Sequence, residues 1–361
     1  MKRHIVCFHL LNDFSGSPKV LHNVLEGLLN DGCEIDLITS RGGVLDSLAG
    51  DRLMRRSYRY AFSSSPAVTM LRYTVIQVLT FFMALRYMFR RDVIFYINTI
   101  LPVGPALAGR LMGKRVVYHY HENAFVKSRF YITLARIMER IAHHIICVSS
   151  YQASFLERKH GVSVVPNALS SKFTDRLHPA PMEAFDRKTV LMLSSLKAYK
   201  GTREFLQLAR LLPEFKFVLV INDTPEAIAQ WMEKEHITLT ENVTLHPRTS
   251  DVTSLYNSAS LVLNLSDPSL FIETFGLTAL EAMSCGLPVI VPPVGGIAEM
   301  VTDGVNGYHI DCKDTDRLVE TISLILTDRE LYQSLSREAL AVSRRFNRDA
   351  MIKNISSGLF N

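Results

Sequence analysis

Short apolar runs alternate with helix-like segments along the whole chain. In the first half the runs are HIVCFHL, EIDLITS, VIFYIN, RVVYHYH and HIICVSS. Runs that stay apolar instead of alternating with polar residues are strands covered on both faces, which is the habit of parallel sheets. The segment TDRLHPAPMEAFDRKT, rich in proline and charge, then interrupts the pattern and reads as a linker. After it the runs restart as TVLMLSS, FKFVLVI, NVTLHP, LVLNLS and LPVIVPP. The expectation is an α/β protein of two Rossmann-like, doubly wound domains over residues 1–172 and 187–340. Residues 341–361 should form a terminal helix packing back towards the first domain. Right-handed crossovers place the carboxyl ends of both sets of strands towards one cleft, and the site belongs there.

Composition adds little to this but excludes some classes. At 361 residues and 48% apolar content the chain exceeds the usual single domain. Five scattered cysteines, Cys7, Cys33, Cys147, Cys285 and Cys312, show no C-x-x-C spacing, so neither a disulfide framework nor a zinc site is indicated. A reducing, cytoplasmic compartment fits. The start, MKRHIVCFHLLNDFSG, has a brief apolar run broken by Asn12 and Asp13 and reads as a first strand, not a signal peptide, so no export is implied.

Charge changes the picture more. Residues 1–180 hold 23 Lys and Arg against 12 Asp and Glu, and the remainder 17 against 23. Eight arginines, Arg52, Arg55, Arg56, Arg59, Arg72, Arg86, Arg90 and Arg91, follow one another without an intervening acid. Such a run seeks an anionic partner. Among these arginines lies an uncharged stretch of thirteen residues, Tyr73 to Leu85, which should be a helix too short to span a bilayer. Its flanks suit docking on an anionic membrane surface; nucleic acid is not among the expected partners.

Three strand-end loops carry candidate chemistry. Ser15-Gly16-Ser17-Pro18 opens a helix after the first strand, where glycine permits close approach and free amides can hold an anion. An ordinary strand-to-helix turn would read the same, and the absence of GxGxxG weakens a nicotinamide reading. RVVYHYHEN, taken as the fourth strand, puts His119 and His121 on one face, with His121 nearer the cleft. It could serve a sugar hydroxyl or be a structural histidine. Lys197 and Lys200 precede a helix in LKAYKGTREF and offer point charges for phosphate, or are solvated loop lysines.

The most specific signal is FIETFGLTALEAMSCGLPVIVPPVGG, residues 271–296. Glu273 precedes a helix opened by Phe275, Gly276 and Leu277, and Glu281 lies inside it. Amides at Phe275, Gly276 and Leu277 suit a pyrophosphate, and a carboxylate further along can accept from both hydroxyls of a ribose. A nucleotide fits between them. Taken singly, Glu281 is a helix-surface residue and Glu273 a partner for the helix dipole; together with the later Gly295-Gly296 turn they say more.

These residues resemble the retaining glycosyltransferases of the GT-B fold, in the large family 4 that includes sucrose synthase-like and bacterial polysaccharide enzymes. The resemblance rests on residues 273–310, with the CGLPVI strand, the GG turn and a D-G-x-N-G hairpin, and is supported by Gly16, HEN at 121–123, PNA at 166–168 and KG at 200–201. It implies that Glu281 binds the donor ribose, Glu273 the transferred sugar and Lys200 the diphosphate. His121 is then near the reacting carbon, and Gly16 lines the opposite wall. Lys197, Phe275, Gly276 and Leu277 complete the donor site. The implied partners are a nucleotide-sugar donor and a glycan or lipid-linked acceptor, in bacterial surface polysaccharide or lipopolysaccharide synthesis, at the inner face of the plasma membrane. One departure matters: where the family usually carries an arginine, this chain reads Ser194-Ser195-Leu196, and Lys197 is the obvious substitute.

No cofactor or metal is required on this reading, since Lys200 and helix amides carry the leaving-group charge. Asp314-Thr315-Asp316 has metal-binding spacing but is better explained as a helix cap. The alternatives are another nucleotide-sugar enzyme of the same fold, epimerase-like, and a nucleotide-sugar-binding module without catalysis.

Overall fold

Seven parallel strands build the first sheet: β1 (His4–Phe8), β2 (Glu34–Ser40), β3 (Leu53–Tyr58), β4 (Val93–Asn98), β5 (Arg115–Tyr120), β6 (His144–Cys147) and β7 (Val162–Val164). Their order is β3-β2-β1-β4-β5-β6-β7. The computed structural model describes residues 3–361. Strands β3 and β7 were not legible as apolar runs. β3 reads LMRRSY and pairs only with β2, so as an edge strand it needs no covering on both sides. RVVYHYH is therefore the fifth strand, not the fourth.

The second sheet holds β8 (Thr189–Ser194), β9 (Lys216–Ile221), β10 (Val243–His246), β11 (Leu261–Leu263), β12 (Val289–Val291) and β13 (Gly307–His309), in the order β10-β9-β8-β11-β12-β13. The D-G-x-N-G segment is not a hairpin. It is a tight turn, with Gly304 N donating to Gly307 O at 3.0 Å, and it leads into β13, which runs parallel to β12. In each sheet the strand order reverses once, beside β1 and β4 in the first and beside β8 and β11 in the second. Ligands of doubly wound sheets bind at the carboxyl ends of the strands at such a reversal.

The chain divides into two units, one running to Ala168 and taking in Asn347–Asn361, the other spanning Leu169–Phe346. The expected linker is not one. Its Pro181–Arg187 portion is a helix whose Ala184 and Phe185 are buried, with the Phe185 ring 5.3 Å from that of Tyr332, so it belongs to the second unit. The boundaries accordingly fall at 168 and 346, not at 172 and 340. The terminal helix Arg348–Phe360 packs on α1 (Gly16–Asn30) of the first unit: Arg348 Nη2 meets Glu26 Oε2 at 3.0 Å, and a Cβ on Gly27 would lie 2.2 Å from Ile352.

Helix α2 (Pro66–Leu85) is longer than the uncharged run predicted, because Pro66 starts it well before Arg72. Its twenty residues, with a mean hydropathy of 1.6 over an eighteen-residue stretch, are long and apolar enough to cross a membrane, contrary to the expectation. One face is nonetheless fastened to the first unit. Tyr73 OH donates to Leu101 O at 2.8 Å, and Gln77 Oε1 accepts from Gly104 N, at the start of α3 (Val103–Leu111), at 2.9 Å.

Candidate functional site

Each sheet carries a cluster of polar residues at its reversal point. In the first unit, His9 follows β1, Asn98 ends β4, and His119 and His121 lie at the end of β5. The Asn98 amide joins them, Nδ2 at 3.1 Å from His9 Nδ1 and Oδ1 at 3.0 Å from His121 Nε2. With the amide so oriented, the network assigns the His121 proton to Nε2 and the lone pair to Nδ1. His119 sits beneath, its ring centre 4.1 Å from that of His121 and its Nδ1 2.7 Å from Tyr96 OH.

Burial pushes His9 down to about 4 and His119 to about 3. Burial, then the neighbouring His119 and His9, holds His121 well below the ordinary histidine range. All three are neutral at physiological pH, so His121 offers a hydrogen-bonding imidazole without charge. Gly16 is the exposed first residue of α1; ahead of it Ser15 N and Oγ both turn to Asp13 Oδ1, at 2.9 and 2.5 Å.

In the second unit Lys200 and Glu273, assigned on resemblance to different parts of a donor, are bound to each other: Nζ and Oε1 form an ion pair. Ser266 Oγ also donates to Glu273 Oε1, at 3.2 Å. Their loops are zipped by the stacked rings of Tyr199 and Phe271, whose centres lie 4.5 Å apart, with Lys200 Nζ 5.1 Å from the Phe271 ring centre. The glycine after Lys200 is required, since Gly201 has φ +69° and a Cβ there would lie 2.2 Å from Leu265 O. Lys197 is exposed, its Nζ 5.8 Å from the Tyr199 ring centre.

Two further glycines explain why this stretch carries a recognisable pattern. Gly276, φ +89°, opens the helix Leu277–Ser284 with no side chain capping it, and a Cβ would lie 2.4 Å from Ile297. Gly295, φ +106°, brings its backbone against Glu273 O, which accepts from Gly296 N at 2.8 Å. Glu273 is thus positioned by its own backbone beside a helix start whose dipole favours an anion. Phe275 supplies only backbone here, because its ring is buried against Phe346, 5.7 Å between centres. Leu277 is the first helical residue, half-buried.

Glu281 faces a partner that sequence reasoning missed: its Oε2 accepts from Tyr256 OH at 2.6 Å, and Tyr256 is fully buried. Nothing local in TSLYNSAS marks that tyrosine. Burial, with the Glu281 charge beside it, raises its hydroxyl well above the ordinary value, so it stays a donor and fixes the carboxylate. Glu281→Ala should therefore cost about 1–3 kcal/mol of stability, since it leaves the buried hydroxyl only Thr278 O, at 3.5 Å. Urea unfolding of Glu281→Ala and of Glu281→Ala/Tyr256→Phe checks this, the second change restoring much of the loss. Equal stability of the single variant and the parent would refute it.

Lys313 was also missed. It pairs with Asp267 Oδ2 at 2.9 Å and reaches Ser269 Oγ at 3.1 Å. Asp314 caps the helix Thr315–Thr327, accepting from Arg317 N at 3.3 Å.

Comparison with known proteins decides the family. The description of glycosyl transferases group 1 matches residues 174–341, and that of glycosyltransferase family 4 matches residues 14–172. The chain belongs to these glycosyltransferases. N-acetyl-alpha-D-glucosaminyl L-malate synthase of Bacillus anthracis is 31% identical over 156 residues, a match to 42% of this chain and 39% of that one. The chain thus spans about two fifths of that curated relative. Among solved structures, Anabaena HepE in complex with UDP-glucose superposes with a TM-score of 0.78 at 19% identity, covering 99% of each chain. WaaG, a glycosyltransferase involved in lipopolysaccharide biosynthesis, gives 0.73 at 16%, covering 99% of this chain and 100% of that one. The glycosyltransferase fold here is GT-B.

Proposed function

We propose that this glycosyltransferase moves a sugar from a nucleotide-sugar donor to a hydroxyl of a glycan or lipid-linked acceptor, with retention of anomeric configuration and without a metal, in bacterial surface polysaccharide assembly at the cytoplasmic face of the membrane. The observation that carries the reading is the Lys200–Glu273 pair beside the uncapped start of the helix Leu277–Ser284, with Glu281 held further along it. The binding of UDP-glucose by HepE supports the donor class.

The bond between the anomeric carbon and the phosphate oxygen breaks, and the acceptor oxygen takes its place. Negative charge grows on the departing diphosphate, where Lys200 and the helix amides are preorganised to meet it. The acceptor proton passes to the leaving phosphate oxygen. His121, uncharged, holds a sugar hydroxyl, and Lys197 takes up charge that Ser195 does not supply.

A panel of nucleotide sugars should contain one that raises the thermal midpoint by mass action and, with membrane lipid extract as acceptor, releases its nucleoside diphosphate. Proton NMR of the product should show the donor's anomeric configuration kept. Stabilisation without release would favour a binding module, and stabilisation by no member of the panel would overturn the donor reading.

A further inference from the structure

A cavity of about 560 Å³ opens on the first unit where the chain leaves β2 and β3 and passes α2. Arg41, Arg59 and Arg72 line it together with Leu71, Val75 and Ile76. No ion pair among the described residues involves any of the three arginines. Arg72 is held in place by its Nη1, which donates to Ala61 O at 3.2 Å and Phe62 O at 3.4 Å. Arg41 also lines a neighbouring cavity with Asp46, whose carboxylate already accepts from Asn12 Nδ2 at 3.0 Å and Gly42 N at 2.7 Å. Three guanidinium groups around one opening fit phosphate oxygens, which they bind through planar pairs of N–H donors.

The other wall is wrong for a purely polar anion. Along α2, Val68, Leu71, Val75, Val78, Leu79 and Phe82 are all exposed, between 38% and 65%. Their spacing puts them on one face of a helix about 30 Å long. A contiguous apolar face of this kind on a soluble protein marks an interaction surface. Since Tyr73 and Gln77 tie the opposite face to the unit, α2 is placed to lie in a bilayer interface, not to cross it. The segment from Arg52 to Arg91 carries no acid to repel an anionic leaflet.

We propose that the arginine cavity binds the phosphate or diphosphate head of a membrane lipid whose hydrocarbon chain lies along the exposed face of α2. This rests on the transferase reading and gives its acceptor a class: a lipid-linked phosphate presented at an anionic membrane surface. Cavity and stripe share Leu71 and Val75, so head and chain meet without a break.

The test uses the full-length protein and no donor. Geranylgeranyl diphosphate below its micelle concentration should bind, and inorganic pyrophosphate and geranylgeraniol should each bind far more weakly. R41Q/R59Q/R72Q should weaken geranylgeranyl diphosphate binding and co-sedimentation with phosphatidylglycerol vesicles by about 100-fold, from roughly one membrane-proximal charge interaction per arginine. Val78→Asp/Phe82→Asp, on the stripe but outside the cavity lining, should abolish sedimentation while leaving pyrophosphate binding unchanged. All five positions are exposed, and circular dichroism verifies the fold of each variant.

Equal affinity for pyrophosphate and the prenyl diphosphate would make this a simple anion site and overturn the proposal. So would vesicle binding indifferent to the arginines. Binding of nucleoside diphosphate, measured on the same variants, reports on the donor half separately, so loss of the lipid site leaves the transferase reading to its own test.

Discussion

Glu273→Ala should lower kcat for sugar transfer by roughly 10²- to 10³-fold, about 3–4 kcal/mol, and change donor KM far less. The carboxylate is placed by backbone contacts, Gly296 N on Glu273 O and the close approach of Gly295, and its side chain is held by Lys200 and Ser266. In the proposed role, a carboxylate so fixed would meet the sugar at full strength only where positive charge develops on the anomeric carbon, the signature of a contact made in the transition state. Glu273→Gln should keep the Ser266 hydrogen bond, lose the charge and fall between the two. Single-turnover kinetics at saturating donor make the measurement, after circular dichroism has verified the fold. Near-parental turnover in Glu273→Ala would remove the role assigned to this residue.

The legible part of this fold was the part set by burial. β2 and β4 coincide with the apolar runs EIDLITS and VIFYIN, because central parallel strands must be apolar on both faces. β3 was illegible because an edge strand can carry Arg55 and Arg56. The supposed linker failed for a different reason: Pro181 in that segment starts a helix, where its missing N–H costs nothing, and does not mark a break. At the site, residues whose identity is dictated by local backbone were readable. Gly201, Gly276 and Gly295 occupy left-handed conformations or close approaches that admit no side chain, and each sits beside a residue singled out on other grounds. Residues that act through tertiary contact were not. Tyr256 reaches Glu281 across 25 positions, Asn98 joins His9 to His121 across two strand ends, and Ser266 and Phe271 converge on the Lys200–Glu273 pair. Periodicity carries no information about such pairings, since any strand end or helix face can supply a hydroxyl or an amide.

The Lys200–Glu273 pair makes the effects of its members interdependent, and this yields the other large effect. On the proposed reading, Lys200→Ala removes the charge meant for the diphosphate and also leaves the Glu273 carboxylate, 15% exposed, without its cation beside an incoming anion. Both losses act in one direction, so kcat/KM should fall on the order of 10³-fold, about 4 kcal/mol. Adding Glu273→Ala relieves the second loss. The double variant should therefore be impaired less than the product of the single effects, by about tenfold or more, a coupling of roughly 1–2 kcal/mol. An exposed pair would couple by less than about 1 kcal/mol, so the size of this term reports how far the pair is withdrawn from solvent when donor is bound. Lys197→Ala belongs in the same series: exposed and in no ion pair among the described residues, Lys197 should contribute to donor affinity but less than Lys200 does. Measured kcat/KM for the three single variants and the double decides the matter. Strict additivity of Lys200→Ala and Glu273→Ala would mean that the pair dissolves on binding, each partner then serving the donor alone.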